Sequence, residues 1–229
     1  MNDCCSFPDD SNGQELDRAF SHAIATKDIK RYRKHGPRKS SRILISLLKK
    51  HRSTEDVSLC DIGSGIGSVA QALLNYDGMK VDVVESSSAY IRVSEEEALQ
   101  KGNHSRIEYH HGDYVHLAHS LGPHDLVCLD RVICCYPDMD SLVGLSAVNT
   151  KSLLAIVIPR DSLFHRTLVK ALHVTFRLAS IFKPRTAVPR FYVHRMSDIE
   201  ETIKWCGLAL IASKTTFFWR IALYQRSQP

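Results

Sequence analysis

The chain has 229 residues, enough for one large domain with a substantial core. Its hydrophobic content of 44% and charged content of 24% are ordinary for a globular protein and argue against a disordered or fibrous chain. A net charge of +5 is too small to indicate nucleic-acid binding by itself, and no apolar run approaches the roughly 20 residues that a transmembrane helix needs.

The N-terminal part is predicted to be helical. Residues 1–13 are polar and are expected to form a mobile tail. Apolar residues then recur in steps of four, which predicts a helix that ends at the Gly36-Pro37 break. A second helix is expected from about Arg38. Together, residues 14–55 are expected to form a helical cap beside or over the mouth of a sheet.

A glycine-rich turn follows the first predicted strand. The apolar run of residues 57–62 contains Asp61, and glycines then stand at every second position, as Gly63, Gly65 and Gly67. Apolar residues at helical spacing come next, which predicts a strand, a turn and a helix in succession. Glycine allows positive φ and close approach of a ligand, and the turn presents the free N–H groups of the next helix. The pattern favours a ligand site over the alternative, a plain tight turn.

Four further strands and their acidic ends complete the parallel part of the predicted sheet. These strands cover residues 80–85, 106–110, 124–130 and 153–158. Glu85 can accept hydrogen bonds from two ribose hydroxyls, with a solvated strand-end acid as the alternative. Asp113 can accept from an exocyclic amine such as that of adenine, and Tyr114 either stacks beside it or fills core. The acidic run at residues 95–97 is expected to be a solvated helix face.

The C-terminal part predicts an insertion, a helix and two strands. Residues 160–195 are longer than a plain connection needs, and they carry a basic helical stripe that is either a solvated face or part of a lid over an acidic acceptor. Ser197 begins a capping box, which predicts a helix that ends at Gly207. Residues 208–212 and 217–224 are the last two strands, the latter an antiparallel partner.

The pattern Asp61-x-Gly63-x-Gly65-x-Gly67 resembles the first motif of class I S-adenosylmethionine (SAM)-dependent methyltransferases, whereas a dinucleotide site places its third glycine one residue later. The order of elements resembles the whole of that fold over residues 27–226. The resemblance implies an α/β, doubly wound, mostly parallel seven-stranded sheet of the Rossmann-like methyltransferase type, with an N-terminal helical cap and a helical insertion after strand 5. Residues 56–229 would be the methyltransferase domain, and residues 160–195 its substrate lid.

The C-terminal half is similar to the magnesium-protoporphyrin IX methyltransferases, which esterify a propionate carboxylate. The stretches that carry this similarity are residues 127–130, Tyr136-Pro137, residues 189–194, residues 198–200 and residues 215–220. Cys135 stands where that family tends to carry a histidine, and the spacing from Asp130 is one residue longer. The similarity is therefore taken to imply the reaction class, methyl transfer, but not a porphyrin substrate.

The resemblance implies SAM as the cofactor and a small-molecule acceptor, favoured to be anionic, with methylation at a carboxylate or hydroxyl oxygen. Acceptors other than carboxylates want a base, for which Tyr32, Tyr136 and His194 are candidates, and Tyr32 is expected to lie over the cofactor. No metal is predicted. The expected cofactor-binding residues are Asp61, Gly63, Ser64, Gly65, Gly67, Glu85, Ser86, Asp113, Tyr114 and Asp130.

Two alternatives stay open. One is a SAM-binding regulatory or partner protein without transferase activity. The other is a thiol or metalloid site built from Cys4-Cys5 and Cys134-Cys135, although structural zinc sites prefer Cys-x-x-Cys spacing. Seven cysteines, with no signal-like opening segment, predict a reduced, cytoplasmic location. No nucleic-acid-binding motif is found, and peripheral membrane contact and oligomeric state are left open.

Overall fold

The computed structural model describes residues 11–76, 78–161 and 191–227. Its strands are β1 (Ser58–Ile62), β2 (Lys80–Glu85), β3 (Ile107–His111), β4 (His124–Asp130), β5 (Thr150–Pro159), β6 (Leu208–Thr215) and β7 (Trp219–Arg226). They form one sheet in the order β3-β2-β1-β4-β5-β7-β6. The first five are parallel, and β7 is antiparallel to both β5 and β6. This confirms the predicted doubly wound, mostly parallel seven-stranded α/β sheet.

The helices, numbered in chain order, are α1 (Ser11–Ala19), α2 (His22–His35), α3 (Lys39–His51), α4 (Ser68–Leu73), α5 (Ser88–Gln100), α6 (Tyr114–Leu121), α7 (Met139–Val148) and α8 (Met196–Trp205). Short 3₁₀ turns cover His104–Arg106 and Ile133–Cys135. None of the helices in the described ranges is long and apolar enough to cross a membrane.

Alternating side chains of the central strands divide the core into two layers. Leu59, Leu126 and Leu153 pack on one face of the sheet with apolar residues of α3 and α4. Val127 and Leu154 pack on the other face with residues of α6, α7 and α8. Strands that are buried on both faces need apolar residues at nearly every position, which is why these runs do not alternate with polar residues.

The first predicted helix is broken in the structure. It is replaced by α1 and α2, which are separated at Phe20 and Ser21. Ser21 is extended, with φ −64° and ψ 163°, and the Ser87 hydroxyl donates to the Phe20 carbonyl at 2.8 Å. The apolar residues do recur in steps of four, but this recurrence continues across the break between α1 and α2. The predicted end at Gly36 is confirmed, since Gly36 has φ +71° and caps α2.

One further local prediction was wrong, and another was wrong at one residue. The last helix begins at Met196, not after Ser197, because the Asp161 carboxylate accepts from the Met196 N–H at 3.0 Å and takes the place of the expected cap. In the acidic run that was expected to be solvated, Glu96 is exposed and Glu95 is half-buried. Glu97, however, is 4% exposed and bonds to Arg33 at 2.7 Å and Lys101 at 3.0 Å. Burial opposes ionisation of Glu97, but these two partners hold its pKa below the usual range.

Several predicted features lie outside the described residues. These are the first ten residues, with Cys4-Cys5, and residues 162–190, which include most of the predicted lid and its basic stripe.

Candidate functional site

A cavity of about 410 Å³ lies at the carboxyl ends of the central strands. Its floor comes from the glycine turn after β1 and from the ends of β2 and β4, and residues of α1 and α2 line it as well. In open α/β sheets, ligands bind at this edge because the loops between strand ends and helices diverge there. The cavity is therefore where the sequence motifs place a ligand.

The three glycines of the turn have positive φ, but they serve different purposes. A Cβ at Gly63 would lie 2.6 Å from a Val132 methyl carbon, and one at Gly67 would lie 2.5 Å from the Ser94 hydroxyl. At Gly65 the nearest atom would be a Tyr90 ring carbon at 3.9 Å. Gly63 and Gly67 are thus required by packing, whereas Gly65 faces open cavity and lets a ligand approach the backbone.

Glu85, at the end of β2, fixes this turn. Its carboxylate accepts from the Gly65 N–H at 2.8 Å and from the Ser87 N–H at 2.9 Å. The residue is buried, and burial raises its pKa although the two backbone donors oppose that effect. Each carboxylate oxygen retains a second lone pair, so Glu85 can still accept from hydroxyl groups of a ligand in the cavity.

Two serines beside the turn also line the cavity. The Ser86 hydroxyl donates to the Gly112 carbonyl at 3.0 Å. The Ser64 hydroxyl is buried, and within the described part of the chain it has no hydrogen-bond partner. A buried hydroxyl without a protein partner is costly, so Ser64 is available to hydrogen-bond a polar group that enters the cavity.

Asp113 and Tyr136 meet on the wall formed by the loops after β3 and β4. The Tyr136 hydroxyl donates to Asp113 at 2.8 Å, and the other Asp113 oxygen accepts from the Val115 N–H at 2.9 Å, capping α6. Both side chains line the cavity and are nearly buried. Tyr114 lines the cavity and also packs in the core, as one of the two expectations for it had it.

Asp130 ends β4 and holds two donors at the cavity wall. Ser41 donates to it at 2.5 Å, and the Arg131 guanidinium donates at 3.2 Å. Arg131 has φ +66°, in the left-handed region that residues other than glycine rarely adopt, and its N–H donates to the Val157 carbonyl at 3.1 Å. Such strained residues concentrate at functional sites.

Four predicted site residues, Tyr32, Asp61, Gly67 and His194, do not line the cavity. Asp61 is 1% exposed and accepts from the Ala70 N–H at 3.2 Å, in the first turn of α4. Burial, reinforced by the neighbouring Asp130, raises the pKa of Asp61 to about 8.

Tyr32 and His194 were expected to be catalytic, and both lie elsewhere. The Tyr32 hydroxyl accepts from the Lys101 ammonium at 2.9 Å, and its ring packs against the cluster that joins α2 to α5. His194 Nε2 lies 2.9 Å from the Tyr136 carbonyl oxygen, and its ring stacks on Tyr192. Tyr32 therefore does not line the cavity, and His194 contacts the backbone of Tyr136, which does.

A helical cap beside or over the mouth of the sheet was expected, but the particular residues of α2 that line the cavity were not predicted. Ile24, Asp28 and Arg31 line it at spacings of four and three, the signature of one helix face. Asp28 accepts from the Tyr90 hydroxyl at 2.7 Å and from Arg38 at 2.8 Å. Extending the apolar stripe of the first predicted helix along its axis would have found this face.

Cys134 and Cys135 both line the cavity, with their sulfur atoms 3.8 Å apart. The Cys134 thiol is also near the Arg131 carbonyl, at 3.4 Å. The hydrogen bond between the two thiols lowers the pKa of Cys135 against the effect of burial and raises the pKa of Cys134. The five cysteines in the described ranges are free thiols.

One group in the described ranges has atoms that could ligate a metal. Asp82, Glu108 and His110 place ligand atoms within 4.8 Å of one another. None of the three lines the cavity, and Asp82 is hydrogen-bonded by His110 at 2.9 Å and also by His124. This group is separate from the candidate site.

The sheet order and the glycine turn define the class I methyltransferase fold. A family model described as O-methyltransferase domain matches residues 13–151, and the chain belongs to that family. Magnesium protoporphyrin IX methyltransferase (ChlM) from Synechocystis PCC 6803 with bound SAH is similar, with a TM-score of 0.69 and 17% identity over 95% of this chain and 100% of that chain. No curated protein matches the sequence.

Two other solved structures share the fold. An O-methyltransferase family protein from Burkholderia thailandensis has a TM-score of 0.62 and 15% identity, covering 91% of this chain and 64% of that chain. The mitomycin 7-O-methyltransferase MmcR has a TM-score of 0.56 and 17% identity, covering 82% of this chain and 54% of that chain. At such identities the likeness establishes the fold.

Proposed function

We propose that the protein is a SAM-dependent methyltransferase that methylates an oxygen atom, carboxylate or hydroxyl, of a small and anionic acceptor. Membership of the O-methyltransferase domain family supports the reaction class. The observation that carries the proposal is the turn at Gly65, which faces open cavity and is fixed by Glu85 at 2.8 Å. The Synechocystis relative has this fold with SAH in one structure and SAM in another.

The residues present fit such a cofactor. Glu85 would accept the ribose hydroxyls, the buried Ser64 hydroxyl would gain its missing partner, and Gly65 would let the ligand lie against the backbone. Asp113 would accept from the adenine amine beside Tyr114. When bound, SAM supplies an electrophilic methyl group. Its sulfonium sulfur leaves as a neutral thioether, so no acid is needed to protonate the leaving group.

The chain would contribute orientation, exclusion of water and, for some acceptors, a proton acceptor. A carboxylate acceptor is already nucleophilic, whereas a hydroxyl must lose its proton. Tyr136 is the candidate base that lines the cavity, and Asp113 accepts its hydroxyl hydrogen at 2.8 Å. In this proposal a hydroxyl acceptor gives its proton to the Tyr136 oxygen while the Tyr136 hydroxyl passes its own proton to the Asp113 carboxylate. His194 would support Tyr136 through its backbone.

An anionic acceptor is favoured because Arg31, Arg38 and Arg131 all line the cavity. A cytoplasmic location belongs to the same proposal and is supported by the free thiols among the described cysteines. A lid over the acceptor at residues 160–195 stays part of the hypothesis.

Methyl transfer can be tested with SAM carrying a labelled methyl group and a panel of carboxylates and phenols, read by mass spectrometry. The proposal expects labelled product from at least one acceptor and inhibition by SAH. The variant Tyr136→Phe should slow transfer to phenols and spare transfer to carboxylates, since only phenols need a base. Tight SAM binding without transfer to any acceptor would favour a binding protein without transferase activity.

A further inference from the structure

The guanidinium groups at the cavity differ in how they are paired. Arg38 donates to Asp28 at 2.8 Å, and Arg131 donates to Asp130 at 3.2 Å. Arg31 lines the cavity from α2, and its buried Nε has no hydrogen-bond acceptor in the described ranges. The Arg31 Nε–H group in the cavity wall therefore lacks an acceptor within this part of the chain.

The nearby acids are already engaged. Asp28 accepts from both Arg38 and Tyr90, and Asp130 accepts from both Arg131 and Ser41. Burial lowers the pKa of Arg31, and the charges of Arg38 and Arg131 lower it further, while Asp28 only partly compensates. Neighbouring positive charges of this kind favour an anion, because an anion would relieve both the repulsion and the missing hydrogen bond.

We propose that Arg31 binds a carboxylate inside the cavity, belonging either to the amino-acid part of the cofactor or to the methyl acceptor. The inference rests on the proposed function, because that function brings both molecules to this cavity. A guanidinium presents two parallel N–H groups that match the two oxygens of a carboxylate. The two sources share this chemistry, and an experiment with two arms separates them.

The first arm is calorimetric titration of the full chain with SAM and with decarboxylated SAM. If Arg31 holds the cofactor carboxylate, Arg31→Gln weakens SAM binding by roughly ten- to a hundredfold, the effect of losing a charge-assisted hydrogen bond. In that case the wild type binds decarboxylated SAM as weakly as Arg31→Gln binds SAM. The substitution causes no further loss of affinity for decarboxylated SAM. Arg31→Lys should recover part of the affinity, since lysine keeps the positive charge but lacks the two parallel N–H groups of the guanidinium.

The second arm titrates the SAH complex with benzoate and with benzamide, its uncharged counterpart. If Arg31 holds the acceptor carboxylate, the wild type prefers benzoate, Arg31→Gln loses that preference, and SAM binding is unchanged. Lys34→Gln is the matched control, because Lys34 is an exposed residue of the same helix that does not line the cavity. It should behave as the wild type in both arms, and melting temperatures check that each variant is folded.

The results distinguish failure of the Arg31 carboxylate site from failure of the proposed function. If the wild type binds SAM but neither arm depends on Arg31, the carboxylate site is refuted and the methyltransferase proposal stands. If the wild type binds neither SAM nor SAH, the proposed function itself is refuted.

Discussion

The Glu85 carboxylate accepts a hydrogen bond from the Gly65 N–H at 2.8 Å, so the end of β2 holds the turn that follows β1. Two sequence motifs, 20 positions apart, are thereby joined in one structural unit. Because Glu85 also accepts from the Ser87 N–H, it fixes the start of α5 as well. The turn and the helix that flank the cavity depend on one buried carboxylate.

Replacing Glu85 by glutamine should weaken both cofactor binding and the fold. An amide has one acceptor oxygen, so one of the two backbone N–H groups would face an NH₂ group, at a cost of about 1–3 kcal/mol. We expect a lower melting temperature and at least a roughly tenfold loss of SAM affinity, since 1.4 kcal/mol corresponds to a factor of ten. Thermal denaturation and calorimetry measure the two effects.

Glu108→Gln is the control for this substitution. Glu108 lies on the adjacent strand β3 and its side chain is 77% exposed, so the same chemical change there should leave stability and SAM affinity nearly unchanged. Equal effects of the two substitutions on SAM affinity would contradict the role assigned to Glu85.

Asp61 should make the protein less stable as pH rises. Its pKa in the folded state is about 8, above the value of 3.8 for an unperturbed aspartate. Between these values the folded chain holds a proton that the unfolded chain has lost, so the free energy of unfolding falls with increasing pH, by up to about 1.4 kcal/mol per pH unit. Above the folded pKa this contribution no longer changes.

The variant Asp61→Asn tests this pH dependence because asparagine does not ionise. Its amide oxygen can still accept from the Ala70 N–H that caps α4. Urea denaturation of both proteins between about pH 5 and pH 8 should give a smaller decline for the variant. Parallel curves for the two proteins would show that Asp61 does not carry the effect.

Cys135 should react with iodoacetamide before Cys134, Cys60 and Cys128. The hydrogen bond with Cys134 and the charge of Arg131 lower the pKa of Cys135. The same hydrogen bond, together with burial, raises the pKa of Cys134, and burial raises the pKa of Cys60 and Cys128. Since Cys135 lines the cavity, saturating SAM should slow its labelling.

Peptide mass spectrometry after timed labelling gives the order of reaction. Cys206, which is also partly exposed and does not line the cavity, is the internal reference whose labelling rate SAM should not change. Equal protection of Cys206 and Cys135 would indicate global stabilisation by the ligand instead of occupancy of the cavity.

The sequence predicted the sheet well because strands buried on both faces are continuous apolar runs whose ends are marked by glycine or acids. It predicted the roles of individual polar residues less well. Tyr32 and Arg31 are neighbours in α2, but a helix turns by about 100° per residue, so Arg31 lines the cavity with Ile24 whereas Tyr32 packs with Ala25 and Ile29. The sequence also does not give the direction of the Asp61 side chain, since an acid at the end of a strand can point into the cavity or beneath it.

The position of Gly65 provides the most direct test of the account. Gly65→Leu should place a side chain in the cavity, and Gly102→Leu is the matched control, because Gly102 has φ +71° with open space around it and does not line the cavity. Both substitutions carry a similar backbone strain of about 1–2 kcal/mol. They should therefore lower stability alike.

Calorimetric titration of SAM into the wild type and these two variants is the decisive measurement. The account predicts that the wild type and Gly102→Leu bind SAM equally and that Gly65→Leu binds roughly ten- to a hundredfold more weakly, the effect of overpacking a fitted site by 1–3 kcal/mol. Equal affinity of all three proteins, or no binding by the wild type, would contradict the claim that this cavity holds the cofactor.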